Sequence, residues 1–176
     1  ELSQIEGYSF QITTDSDIQM LLDKLKTDSL DHKMTQNGRK LSDRLWSMTF
    51  ERNIISVNII DSQGRQYSGG VPISQGHIRD LVGIAAKKKG AMVFVEPIND
   101  SYILCVRQIR KIRDLDLGPL GTLIIRVNTP SLIKQTTAGS MDNSISLIVR
   151  SNKKIVHVPS PALQKINKQL TFRGDR

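Results

Sequence analysis

Apolar positions along the first fifty residues recur every three or four places. Leu2, Ile5, Tyr8 or Ser9, and Ile12 lead into Ile18, Leu21, Leu22 and Leu25, and Leu41, Leu45, Trp46 and Met48 resume the stripe. That period is helical. No proline occurs before Pro72, so the pattern predicts helix throughout residues 1–52, with Asn37-Gly38 as the one weak place. An unbroken helix of this kind would be a rod of ~75 Å, a length suited to standing off a surface, and its seam of Leu2, Ile5, Ile12, Leu21 and Leu25 is expected either to pack within the chain or to form a parallel dimer.

At Asn53 the period changes to that of a strand. "IISVNII" is rich in β-branched residues, "DSQGR" supplies a turn and "QYSGG" a second strand. "GHIRDLVGIAAKKKG" then reads as a helix with Ile78, Leu81, Val82 and Ala85 on one face, closed by Lys87–Lys89 and Gly90. Three strand-like runs follow: "AMVFVEP", "SYILCVRQI" and "GTLIIRVN". The order predicts an α+β fold, a long N-terminal helix followed by a five-stranded antiparallel sheet with helices on one side. "TPSLIKQTTAG" reads as a short helix and a linker after it.

The chain then repeats itself. "ISVNIIDSQGRQYSGG" from Ile55 and "ISLIVRSNKKIVHVPS" from Ile145 share the order strand, polar turn, strand, and a helix start, "PSPALQKINKQL", follows the second copy. Only the first half of a second unit is present, so the division is 1–52, a helical segment; 53–138, a complete α+β unit; and 139–176, an incomplete second one.

Composition narrows the functional classes. The chain has 176 residues, 38% of them hydrophobic, and a formal net charge of +8. A pI near 9.8 invites a nucleic-acid partner. The distribution opposes one, because Asp15, Asp17, Asp23, Asp28 and Asp31 interleave with Lys24, Lys26 and Lys33, and aromatic residues do not alternate with basic ones. No run is long and apolar enough to cross a bilayer, and Glu1 in place of a methionine leads to the expectation of an excised segment. The single Cys105 reads as a small buried hydrophobe. His32, His77 and His157 stand apart without metal-ligand spacing, and no nucleophile elbow, P-loop or dinucleotide fingerprint occurs. No cofactor, metal or catalytic group is expected in this segment.

Three stretches resemble a known family: "IQMLLDKL", "ISVNIIDSQGRQYSGG", and above all "YILCVRQIRKIRDLDLGPLGTLIIRVNTPSL". They are similar to the extracellular Cache-type (PAS-like) sensor ectodomains of bacterial two-component histidine kinases, the YesM-like kinases in particular. The resemblance implies a double Cache: a signalling helix, a membrane-distal PAS-like domain at 53–138, and the start of a membrane-proximal one at 139–176. It also implies flanking transmembrane segments and an intracellular kinase, none of which this chain contains. The same ectodomain on a chemoreceptor or a diguanylate cyclase is the alternative output, and a cytosolic PAS-like or nucleic-acid-binding module is a more distant one.

A sensor of this kind binds its ligand, a small molecule or an envelope component, between the sheet and the covering segment from Ser68 to Gly90. Tyr67, Phe94 and Tyr102 are candidate walls, and Arg65 and Arg107 are candidate grips for a carboxylate. Strand alternation puts Tyr102 and Arg107 on opposite faces, so only one of them can line that site. The family's amino-acid-binding members carry an Arg-x-Trp-Tyr cluster on the strand occupied here by "GAMVFVEP". Arg and Trp are both missing from it, which counts against amino-acid sensing.

Overall fold

A computed structural model describes residues 2–27, 32–50, 53–95, 102–112, 117–128, 149–151 and 154–157. The helical segment is three helices rather than one rod: α1 (Leu2–Thr14), α2 (Ser16–Thr27) and α3 (His32–Ser47). The break is not at Asn37-Gly38, which lies inside α3, but at Asp15. The Asp15 carboxylate accepts hydrogen bonds from the backbone N–H groups of Asp17 and Ile18, both at 3.0 Å. That is an N-cap, and it starts a new helix where periodicity alone continues the old one. Gln19, 4% exposed, takes up the Thr13 carbonyl through its amide nitrogen at 2.6 Å. The same nitrogen donates to the Arg110 carbonyl at 2.9 Å, stitching the helix junction to the sheet.

Five strands follow as expected: β1 (Ile54–Asp61), β2 (Gln66–Gly70), then α4 (Gln75–Lys87), β3 (Val93–Val95), β4 (Tyr102–Arg110) and β5 (Pro119–Asn128). They form one antiparallel sheet in the order β2-β1-β5-β4-β3. The last strand sits in the middle, and its sequence shows why. Leu123, Ile124 and Ile125 are consecutive and wholly buried, so both faces of this strand need cover. The helices therefore lie on both sides, not on one. Against one face, Ile5, Ile12, Ile18, Leu22, Leu25, Leu41 and Leu45 from α1–α3 pack on Val57, Ile59, Cys105, Ile109, Leu123, Ile125 and Val127. Against the other, Ile73, Ile78, Leu81 and Ala85 pack on Ile60, Leu104, Val106 and Ile124.

The predicted helix seam is thus an intramolecular one. Ile5, Ile12, Leu21 and Leu25 are all buried within the single chain, which leaves them no surface for a dimer mate. The side chain of Leu2 lies outside the described residues. Cys105 is buried as expected, and burial pushes its thiol up to about 12. The echo hairpin exists as β6 (Val149–Ser151) paired antiparallel with β7 (Lys154–His157). The helices expected at 129–139 and 159–170 lie outside the described residues.

Two glycines permit α3 to lie directly on β2. A Cβ at Gly69 would fall 2.3 Å from the Leu45 carbonyl carbon, and one at Gly38 would fall 2.9 Å from the Tyr67 ring. Gly69→Ala should therefore cost about 1–3 kcal/mol or more in a denaturant titration, because the obstacle is helix backbone. Gly83→Ala, inside α4 with open space around it, should instead stabilise by about 0.5–1 kcal/mol.

Burial tends to raise the Asp15 carboxyl pKa. The Arg44 hydrogen bond at 2.7 Å, the Ile18 and Asp17 N–H groups and the Arg44 charge outweigh burial and hold it below the usual value of 3.8. A depressed carboxyl pKa contributes stability that is complete above the unfolded value and lost as pH falls through the folded one. Asp15→Asn, which keeps a capping oxygen, should lower stability at neutral pH and flatten its decline in acid, read as melting temperature against pH.

Candidate ligand-binding site

The two faces of the sheet separate the sequence candidates. Register places Tyr67 opposite Ile59, Phe94 opposite Cys105, and Arg107 opposite Leu123. All three therefore lie on the face under α1–α3. Arg65, in the β1–β2 turn, joins the same side. Its Nε bonds Asp61 at 2.6 Å and one terminal nitrogen donates to the Leu25 carbonyl at 2.6 Å. Asp61 also accepts from the Tyr67 hydroxyl at 3.2 Å and from two backbone N–H groups of its own turn, those of Gln63 and Arg65, each at 2.9 Å. Arg65 thereby ties the turn to the end of α2, and the ion pair has no free edge to offer a ligand. Arg107 is similarly engaged. It donates to the Gly90 carbonyl at 2.7 Å and to the Ser9 hydroxyl at 3.0 Å, with its guanidinium 5.4 Å from the centre of the Phe10 ring. Arg65, Tyr67, Phe94 and Arg107 hold the helical layer to the sheet.

Tyr102 alone among the candidates faces the other way, onto the side covered by α4 and the segment leading into it. The rows of that face can be read across the strands. Gly70, Ser56, Arg126, Leu104 and Val95 form one row, and Ser68, Asn58, Ile124, Val106 and Val93 form the next. Ser56 and Asn58 are wholly buried. The Asn58 amide donates to Ser56 Oγ at 3.0 Å and to the Val71 carbonyl at 3.4 Å. Gln66 accepts from the Ile73 N–H at 2.6 Å and donates to the Ile73 carbonyl at 3.1 Å. These amides clamp residues 71–73 over the sheet as a polar-lined cover.

Arg126 sits at the centre of the first row, its guanidinium 4.6 Å from the centroid of the Tyr102 ring. Its Nε is closed to solvent and has no hydrogen-bond partner among the described residues. Arg126 is absent from the sequence-based candidates, although its signal is plain: one charge inside the otherwise apolar run from Leu123 to Val127. Among the described residues no cluster of His, Cys, Asp and Glu could hold a metal ion, and no helix is long and apolar enough to cross a membrane.

No family model matches the chain. Its sequence is 29% identical over 143 residues to the sensor histidine kinase YesM of Bacillus subtilis, an overlap of 76% of this chain and 24% of that protein. The chain thus spans about a quarter of the length of this curated relative. Among solved structures, it is similar to the ligand-binding domain of the Pseudomonas aeruginosa amino-acid chemoreceptor PctC in complex with GABA. That likeness has a TM-score of 0.57 and 18% identity, and it covers 92% of this chain and 69% of the other. The ligand-binding domain of the Campylobacter jejuni chemoreceptor Tlp3, in complex with L-norvaline, aligns with a TM-score of 0.53 at 15% identity over 99% of this chain and 69% of that one. These likenesses show the fold alone: the α+β Cache-type architecture that the sequence resemblance implies.

If Tyr67 is a structural tie, Tyr67→Phe should cost about 0.5–1.5 kcal/mol in urea unfolding. Burial first, then the Asp61 charge, pushes its phenol up to about 12 despite the opposing Arg65. A raised phenol pKa contributes stability that is complete below the usual value of 10.0 and lost as pH climbs towards the folded one. Phenolate absorbance should therefore show a late step near that pH, and Tyr67→Phe should remove it.

Proposed function

We propose that this chain is the extracytoplasmic sensing domain of a membrane-bound two-component histidine kinase. One observation carries the reading: sequence likeness to a sensor kinase and structural likeness to ligand-binding domains fall on largely the same residues. In this reading residues 53–138 with the helices before them form the membrane-distal unit, and 139–176 begin a membrane-proximal one. Membrane-spanning segments and the kinase belong to the rest of a multi-pass parent protein. The ligand is a small molecule bound on the α4 side of the sheet, under residues 71–73. Pairing of two copies, expected along the helix seam, is assigned instead to the outward face of α1, where Phe10 is 56% exposed.

The route from ligand to helix runs through β4. Tyr102 and Arg107 alternate to opposite faces of this strand, and Arg107 is bonded to Ser9 on α1. The end of the strand is held at Arg110 by Gln19 of α2. A ligand that displaces β4 at Tyr102 therefore shifts the anchor points of α1 and α2. The signal is a change in population between two packings of the helical layer on the sheet, biased by differential ligand affinity.

The chemoreceptor neighbours favour a second output for the same sensing step, and phosphorylation separates the two. A thermal-shift screen of the chain against small carboxylates, sugars, nucleotides and metals should first identify a ligand, with about 3 kcal/mol of stabilisation at saturation. The parent protein in lipid vesicles should then form acid-labile phosphohistidine from labelled ATP at a rate that the ligand changes. No phosphohistidine in a folded parent would overturn the kinase assignment in favour of a chemoreceptor or cyclase.

A further inference from the structure

Most polar side chains described above serve the fold. Ser56, Asn58 and Gln66 hold the cover, and Arg65, Tyr67 and Arg107 hold the helices. Arg126 differs from them. It occupies the middle strand and, among the described residues, buries its Nε without a partner and forms no ion pair. Leaving a buried donor unpaired is costly, more so on a charged group. The stack on Tyr102 is weak compensation, because an unbranched apolar side chain would cover the ring as well. Stability alone does not call for arginine at this position.

We propose that Arg126 is the anchor for the carboxylate of a small organic acid, a specification of the ligand that rests on the sensing reading above. The two terminal nitrogens of the guanidinium, which unlike Nε are not closed off, match the two oxygens of a carboxylate in an end-on pair of hydrogen bonds. Stacking on Tyr102 fixes the plane of that fork before a ligand arrives, which limits the ordering cost of binding. Arg126 is only partly buried as a residue, and its terminal nitrogens are not among its closed atoms, so these nitrogens are within reach of a small molecule. Strand parity places Arg110 on this face as well, but at the far end of β4 with its Nε bonded to the Leu117 carbonyl, so Arg126 is the charged group beside Tyr102, which suits a monoanion. No described carboxylate stands there to receive the ammonium of an amino acid. The Ser56 and Asn58 row edges and the apolar surface of Leu104 and Val95 would meet the rest of the molecule.

The test is the melting temperature of the chain with acetate, propionate, lactate, butyrate and benzoate, each beside its neutral amide, and with phosphate, glycine, GABA, glucose and adenosine. A carboxylate should raise the melting temperature where its amide does not. Arg126→Met should weaken binding about 10- to 100-fold, and Arg126→Lys should restore part of it. The ligand-free Arg126→Met protein should melt at or above the wild-type temperature, by up to about 2–4 °C, since it keeps the stack and removes the unpaired donor. A ligand-free loss of several degrees would make Arg126 a structural residue and overturn the proposal. Binding confined to amides or other neutral compounds, to phosphate, or to zwitterions would also overturn it, as would a carboxylate response that survives Arg126→Met, while the sensing reading stands. Silence from every compound class would count against both.

Discussion

The sheet is covered on both sides, and this constraint shapes everything else in the chain. With β5 in the middle and consecutive residues of it wholly buried, neither face can be left to water. Three helices are committed to one face and α4 with its leading segment to the other. Between such layers a polar group is expensive unless it is bonded. The polar side chains therefore work as fasteners, and a charged one with a donor left over is conspicuous. Arg126 is that exception, and it lies on the face where the cover is a loop and one helix rather than three.

The helical layer shows how local chemistry redirects a hydrophobic stripe. A continuous helix over the first fifty residues would have carried its apolar face beyond the edge of the sheet. Capping by Asp15 ends that continuity, Gln19 absorbs the carbonyl that the break releases, and α3 lies back against α2 and β2. The return is close because Gly69 and Gly38 leave room for backbone against backbone and backbone against ring. Gly38 belongs to the one place where the sequence invites a helix break, yet it lies inside α3 and serves packing instead. The same layer is bonded to β4 at two points through Arg107 and Gln19, so the sheet and the helices form one mechanical unit.

Arginine illustrates how far residue type can be read without a fold. Arg65 and Arg107 look available from the sequence, one beside a turn and one on a strand, and both are engaged in holding elements together. Arg126 looks like an interruption of a core strand and is the one that buries a donor unpaired among the described residues. Strand alternation correctly divides Tyr102 from Arg107, since that parity is a property of the chain. It does not say which parity meets the ligand-side cover. That depends on where α1–α3 settle, a matter of packing between residues far apart in sequence.

The sequence by itself determined the element order, the limits of the five strands to within a few residues, the burial of Cys105 and the likeness to Cache-type sensors. Each of these depends on local periodicity, on turn chemistry or on a contiguous stretch of matching residues. Only the tertiary structure decided that the seam of Ile5, Ile12, Leu21 and Leu25 is core rather than interface, that helices cover both faces, and that β5 is central. It also decided which arginine keeps an unpaired donor. The physical reason is common to all four. An apolar stripe or a guanidinium states what it needs, burial or hydrogen-bond partners, but its partners come from residues tens of positions away. Their identity exists only once the layers have closed.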